Sequence, residues 1–132
     1  MEEQVIKKCA SCFVINDNKI LLIFHKKFQK YIQPGGHIED DEEPYETAIR
    51  EVYEETGIKI IIENKEPFNI QKYNTKIGQQ LDYQFTGTAL NLEVKNNEES
   101  YLCGWFDIDE INDLNVVDDL FEKIEMIKTL SR

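Results

Sequence analysis

Between Arg50 and Glu55 the chain reads Arg-Glu-Val-Tyr-Glu-Glu, which sets three carboxylates and one guanidinium just ahead of Gly57. Residues three and four apart share a helix face. On a helix, then, Glu51 stands beside both Glu54 and Glu55, which lie about 100° apart around the axis. One reading is a solvated face in which Arg50 reaches Glu54 at i+4. Repulsion between Glu51 and Glu55 costs only a few tenths of a kcal/mol there. The other is a cage for a hard divalent cation, which takes oxygen ligands from carboxylates and backbone carbonyls. The preceding Gly35-Gly36 bears on the choice, because a backbone without Cβ lets its carbonyls approach an ion closely.

The elements that must position these groups are legible as periodicity. Tyr45, Ala48, Ile49, Val52 and Thr56 recur at helical spacing, predicting a helix that Pro44 opens and Gly57 closes. The carboxylates fall beside that apolar stripe rather than opposite it. Upstream, the apolar run Cys9–Ile15, a turn at Asn16–Lys19 and Ile20–Phe24 predict a hairpin. Tyr31–Gln33 is short and extended, Pro34–Gly36 is expected to break regular structure, and His37–Glu43 reads as an acidic loop. Downstream come β-rich runs over 58–63 and 67–73, a turn at Gly78, a long strand Leu81–Val94, a polar loop and a short strand after Tyr101. Val116, Val117, Leu120, Phe121, Ile124, Ile127 and Leu130 predict a second amphipathic helix. The fold class expected is α+β, an αβα sandwich with a mixed β-sheet and one helix per face. Without repeats or a linker, residues 1–132 read as a single domain.

A net charge of -11 and a pI near 4.6 argue against a nucleic acid polymer or an anionic membrane surface as partner. No apolar run approaches the roughly 20 residues of a membrane helix, and the start lacks a leader pattern, so the expected location is cytoplasmic. An acidic chain still takes small phosphorylated ligands when divalent cations stand between. Cys9, Cys12 and Cys103 are odd in number. The Cys9/Cys12 pair has no second pair to complete a zinc set, so it is read as part of a buried strand.

Taken whole, Gly36 to Ile58 (GHIEDDEEPYETAIREVYEETGI) resembles the Nudix hydrolase signature. That signature is Gly, five residues, Glu, seven residues, Arg-Glu, an aliphatic, any residue, Glu-Glu, any residue, Gly and an aliphatic. Gly36, Glu42, Arg50, Glu51, Val52, Glu54, Glu55, Gly57 and Ile58 occupy every specified place. The resemblance implies the αβα sandwich, Mg²⁺ or Mn²⁺, and cleavage of a diphosphate bond in a nucleoside diphosphate joined to another group. It makes Glu51, Glu54 and Glu55 metal ligands with the Gly36 carbonyl, Glu54 the water-activating residue, and Arg50 an orienting partner for the glutamates. Glu42 is expected to brace the loop against the helix. Asp41 stands where many members have glycine; Asp tolerates turn geometry, so only loop detail is affected.

Weaker candidates surround this set. Lys26, Lys27 and Lys30 could meet substrate phosphates or simply be solvated, and His37 could touch a phosphate. Tyr31 and Trp105 are more naturally core than base-stacking. Glu39 and Glu98 (with its neighbour Glu99) are candidate additional acidic ligands. The stretch 107–113 lacks the glycine and oxygen ligand of a calcium loop and is read as helix-capping. Two other functions share the fold: a nucleotide-binding or sensing module without catalysis, which retention of all the glutamates disfavours, and a proton-transferring isomerase. The partner expected is a small nucleotide or nucleotide derivative, with monomer and homodimer both open.

Overall fold

The computed structural model describes residues 5–76, 78–95, 102–111 and 115–130. In chain order these form β1 (Val5–Asn16), β2 (Lys19–His25), β3 (Lys30–Ile32), β4 (Gly35–His37), α1 (Pro44–Thr56), β5 (Ile60–Ile61), β6 (Asn69–Thr75), β7 (Gly78–Ala89), β8 (Cys103–Asp107) and α2 (Leu120–Leu130). The strands make one mixed sheet. β1 runs parallel to β7, while every other pairing of named strands is antiparallel. The β1–β2 hairpin closes through Asp17 and Asn18, both at positive φ (51° and 60°), the geometry of a two-residue turn that Asp and Asn tolerate.

Side-chain alternation along β1 and β2 builds two cores, one on each face of the sheet. Ala10, Cys12, Val14 and Leu21 pack with Ala48 and Val52 of α1, joined by Ile58, Ile60 and Phe85. Phe13, Ile20 and Leu22 pack with Leu120, Ile124 and Ile127 of α2. The αβα layering expected from the sequence is therefore present. The same period of two sends Cys9 and Cys12, three apart, to opposite faces. Both are buried, and on opposite faces this pair cannot chelate one ion. No described helix is long and apolar enough to cross a membrane.

Several boundaries differ from expectation. Pro34–Gly36 does not end regular structure. Gly35–His37 is a strand paired to Cys9–Ser11 of β1, and a Cβ on Gly35 would lie 2.5 Å from the Ala10 carbonyl oxygen. Glycine serves close backbone approach here, not a turn. The run at 58–63 yields only the two-residue β5. β7 stops at Ala89 instead of Val94 because Asn91 turns the chain: its side chain accepts the Lys59 N–H at 2.8 Å and donates to the Gly57 carbonyl at 3.2 Å. α2 starts at Leu120, since Val116 bridges to Tyr31 and the Val117 N–H donates to the Tyr31 carbonyl. Within the stretch 107–113, the Asp107 carboxylate accepts the Asp109 N–H at 2.9 Å in a tight turn, and residues 112 and 113 lie outside the described residues.

β1 carries two partners along one edge: β4 on Cys9–Ser11 and β2 on Ile15–Asn16. Where β2 leaves that edge, β4 enters and brings the double glycine against α1.

Candidate metal and phosphate site

α1 is held at both ends. Pro44 occupies its first turn, the Glu46 carboxylate accepts the Glu43 N–H at 3.0 Å, and Gly57 closes it at φ 78°. In that frame Glu42 and Arg50 lock together. Arg50 Nε donates to Glu42 Oε2 at 2.6 Å and Nη2 to Oε1 at 2.9 Å, the bidentate fork that a planar guanidinium makes with a carboxylate. Thr47 Oγ1 (2.8 Å) and the Glu39 N–H (3.2 Å) complete the shell of Glu42. The guanidinium holds the Glu42 carboxyl down to about 2. Arg50 Nη2 also donates to the His37 carbonyl at 3.2 Å, so the loop is tied to the helix.

The remaining nitrogen, Nη1, reaches Glu51 Oε1 at 2.9 Å and Glu54 Oε2 at 3.2 Å. Behind it, Glu51 lies flat against Gly36: a Cβ there would meet the Glu51 carboxyl carbon and both oxygens at 2.5–2.7 Å. Glu55 accepts the Gly35 N–H at 2.9 Å. Burial first, then the negative charge of Glu51, pushes the Glu55 carboxyl up to about 8, with the Gly35 N–H pulling the other way.

A hard divalent cation fits this donor set: two crowded carboxylates on one helix face, a third beside them, and a peptide backbone cleared of Cβ at Gly36. Among the described residues no three His, Cys, Asp or Glu side chains yet converge as ligands, because Glu51 and Glu54 turn to Arg50 and Glu55 turns to Gly35. Glu54, with its side chain 54% exposed, is the freest of the three to exchange partners.

The outlying candidates divide. Glu39, Lys27 and His37 line the same cavity as the glutamates, a space of about 650 Å³; Glu39 lies 3.8 Å from Arg50 Nη2, and His37 Nδ1 lies 3.4 Å from Cys9 Sγ. Lys26 is exposed and does not line that cavity. Lys30 pairs with Asp118 at 3.2 Å in a neighbouring recess. Tyr31 stacks edge-on with Phe24 and Phe106, and Trp105 Nε1 donates to the Leu92 carbonyl at 2.9 Å, so both are structural. Glu98 and Glu99 lie outside the described residues.

Sequence reasoning missed two buried polar residues in the cavity wall, Gln33 and Asp82. Their only signal was polarity inside otherwise strand-like runs.

The NUDIX domain family model matches residues 6–127. The chain belongs to that family. A protein from Lactococcus lactis subsp. cremoris described as a probable DHNTP pyrophosphohydrolase is 37% identical over 97 residues, covering 67% of this chain and 56% of that protein. The chain thus spans little more than half the length of that relative. An uncharacterized Nudix hydrolase of Bacillus subtilis is 25% identical over 112 residues, covering 83% of this chain and 71% of that one. Among solved structures, a NUDIX-family hydrolase from Clostridium perfringens superposes with a TM-score of 0.81 at 23% identity, covering 94% and 97% of the two chains. That likeness establishes the fold.

Proposed function

We propose that this chain is a divalent-metal-dependent pyrophosphohydrolase acting on a nucleoside diphosphate joined to a further group, including nucleoside triphosphates. The observation that carries the reading is the Gly36 cradle: absence of one Cβ seats the Glu51 carboxylate against the backbone, beside a half-buried Glu55 that accepts the Gly35 N–H. Mg²⁺, or Mn²⁺, would be held by Glu51, Glu54, Glu55 and the Gly36 carbonyl, with Glu39 and Glu98 as further acidic candidates. Bound there, it would neutralise phosphate charge and acidify a coordinated water. Glu54, the most exposed of the three, takes the proton from attacking water as the new P–O bond forms and the bridging P–O bond breaks. Arg50 stays on Glu42 and orients the glutamates. Lys27 at the cavity wall meets the substrate's negative charge.

The test is a phosphate-release screen with Mg²⁺ over nucleoside triphosphates, dinucleoside polyphosphates, nucleotide sugars, ADP-ribose, NADH and DHNTP, the last suggested by the Lactococcus relative. Turnover that disappears with chelator, and falls at least about a hundredfold in Glu54→Gln, supports the proposal. Absence of turnover with undiminished nucleotide binding in Glu54→Gln would make the chain a binding module instead.

A further inference from the structure

The helices α1 and α2 hold three threonines, and two of them turn their hydroxyls onto their own helix. Thr56 Oγ1 donates to the Val52 carbonyl at 2.6 Å and Thr129 Oγ1 to the Glu125 carbonyl at 3.0 Å, each four residues back. That is the ordinary outlet for a helical hydroxyl. Thr47 departs from it. Its N–H keeps the helical bond to the Glu43 carbonyl at 3.1 Å, but its Oγ1 donates to Glu42 Oε1 at 2.8 Å, five residues back and outside the helix. The residue is fully buried, where a hydroxyl without a partner is costly and a valine has the same shape.

Glu42 Oε1 accepts from Thr47 Oγ1 at 2.8 Å, from Arg50 Nη2 at 2.9 Å and from the Glu39 N–H at 3.2 Å. Arg50 is the group to be held, and Glu39 stands on the loop before α1. Thr47 is therefore the donor that ties Oε1 to the body of the helix through a short side chain. A β-branched side chain inside a helix has few rotamers, so the bond fixes where Oε1 sits, and the fork on Glu42 then fixes the guanidinium plane. That plane matters because Arg50 is drawn in two directions. Nε and Nη2 face Glu42, whereas Nη1 faces Glu51 Oε1 at 2.9 Å and Glu54 Oε2 at 3.2 Å. A cation entering the cage must take both glutamates from Nη1. A guanidinium loosened from Glu42 swings further onto them and competes with the ion.

We propose that Thr47 is a positioning residue for the cation cage: its hydroxyl holds Glu42 so that Arg50 stays forked there and yields Glu51 and Glu54 to a divalent cation. The inference rests on the hydrolase reading for the presence of that cation, and it adds a residue outside the ligand set. Thr47 does not line the cavity; it acts through Glu42 and Arg50. Partners that orient metal ligands from behind tune the affinity for the metal itself.

Thr47→Val removes the hydroxyl at constant shape, and Thr47→Ser restores it. Two readouts need no substrate. Calorimetry of Mg²⁺ against the protein should show Kd raised by about three- to tenfold in Thr47→Val, the low end for a residue standing behind a metal ligand. In metal-free protein, NMR of the Arg50 Nε–H should show solvent exchange faster by about tenfold, the factor of one charge-assisted hydrogen bond, since swinging Glu42 away no longer breaks that bond. Thr47→Ser should return both to within about twofold of wild type. Under turnover, the half-maximal Mg²⁺ concentration should rise in the same ratio as Kd. An unchanged Kd in Thr47→Val would overturn the proposal whatever the urea midpoint does, because a merely structural brace lowers stability alone. A raised Kd that Thr47→Ser does not lower would assign the effect to packing and end it too. Should wild type hydrolyse nothing, the hydrolase reading falls and the Kd ratio alone decides this one: about threefold sustains it and unity ends it. Turnover with a Kd ratio of unity leaves the hydrolase reading standing and removes Thr47 from it, and a wild type that binds no Mg²⁺ ends both.

Discussion

Arg50→Lys isolates the clamp that sets the site. Lysine keeps the charge and loses the fork. In the native geometry the side chain of Arg50 is 26% exposed and that of Glu42 17%, so the pair is shielded well enough for its hydrogen bonds to count. The two bonds to Glu42, at 2.6 and 2.9 Å, and the one to the His37 carbonyl at 3.2 Å are charge-assisted, each worth about 1.5–3 kcal/mol. An ammonium can retain one, so the loss is about 3 kcal/mol. The contact with Glu54 is too exposed to add more than a few tenths. At about 2.1 cal/mol/K per residue, the chain's 132 residues give an unfolding entropy of about 280 cal/mol/K, and the loss becomes a Tm drop of about 11 °C. The pH dependence provides a second check. The folded Glu42 carboxyl is depressed to about 2 from an ordinary 4.5, so its contribution is fully present above pH 4.5 and is lost as pH falls toward 2. Urea midpoints of wild type and Arg50→Lys should therefore be widest apart at neutral pH and converge through that window. A Tm change under about 2 °C, or a gap that does not narrow in acid, would refute the clamp.

The two neighbouring glycines should separate stability from chemistry. Gly35→Ala forces a Cβ onto backbone at 2.5 Å and should destabilise by about 2 kcal/mol in urea denaturation. Gly36→Ala meets the Glu51 carboxylate first, at 2.5–2.7 Å, and should cost turnover by about a hundredfold with a smaller change in the urea midpoint. Gly57→Ala, at φ 78°, should lower stability by about 1 kcal/mol, again read by urea. Because the Glu55 carboxyl is raised to about 8, it is largely protonated at pH 7, and metal binding must expel that proton. Calorimetry of Mg²⁺ in buffers of different ionisation heat should show close to one proton released at pH 7 and almost none at pH 9. Millimolar Mg²⁺ should also raise Tm by linkage, and Glu51→Gln with Glu55→Gln together should remove most of that rise.

The features legible in the sequence were those with short-range causes. The α1 stripe, its Pro44 and Gly57 ends, the Asp17–Asn18 turn and the alternation in β1 follow from periodicity and local backbone preference. The spacing of Gly36, Glu42 and the α1 glutamates also carried the family. What escaped depends on partners distant in sequence. Gly35–His37 pairs as a strand only because Cys9–Ser11 lies alongside it. Val116 and Val117 continue the apolar pattern of α2 yet stay extended, since Tyr31 claims their backbone. Asp82 is buried against Ser11, 71 positions away, and takes a second hydrogen bond from Gln84. Charge and spacing alone gave Glu51 and Glu55 the same weight, whereas Glu51 lies against Gly36 and Glu55 accepts the Gly35 N–H.

The most direct test of the cation cage is a crystal grown with Mn²⁺ and measured for anomalous scattering. A peak is expected within ligand distance of Glu51, Glu55 and the Gly36 carbonyl, with Glu54 released from Arg50 toward the ion and Arg50 still forked on Glu42. A peak elsewhere on the chain, or an empty cage in crystals of protein whose turnover requires Mn²⁺, would contradict it.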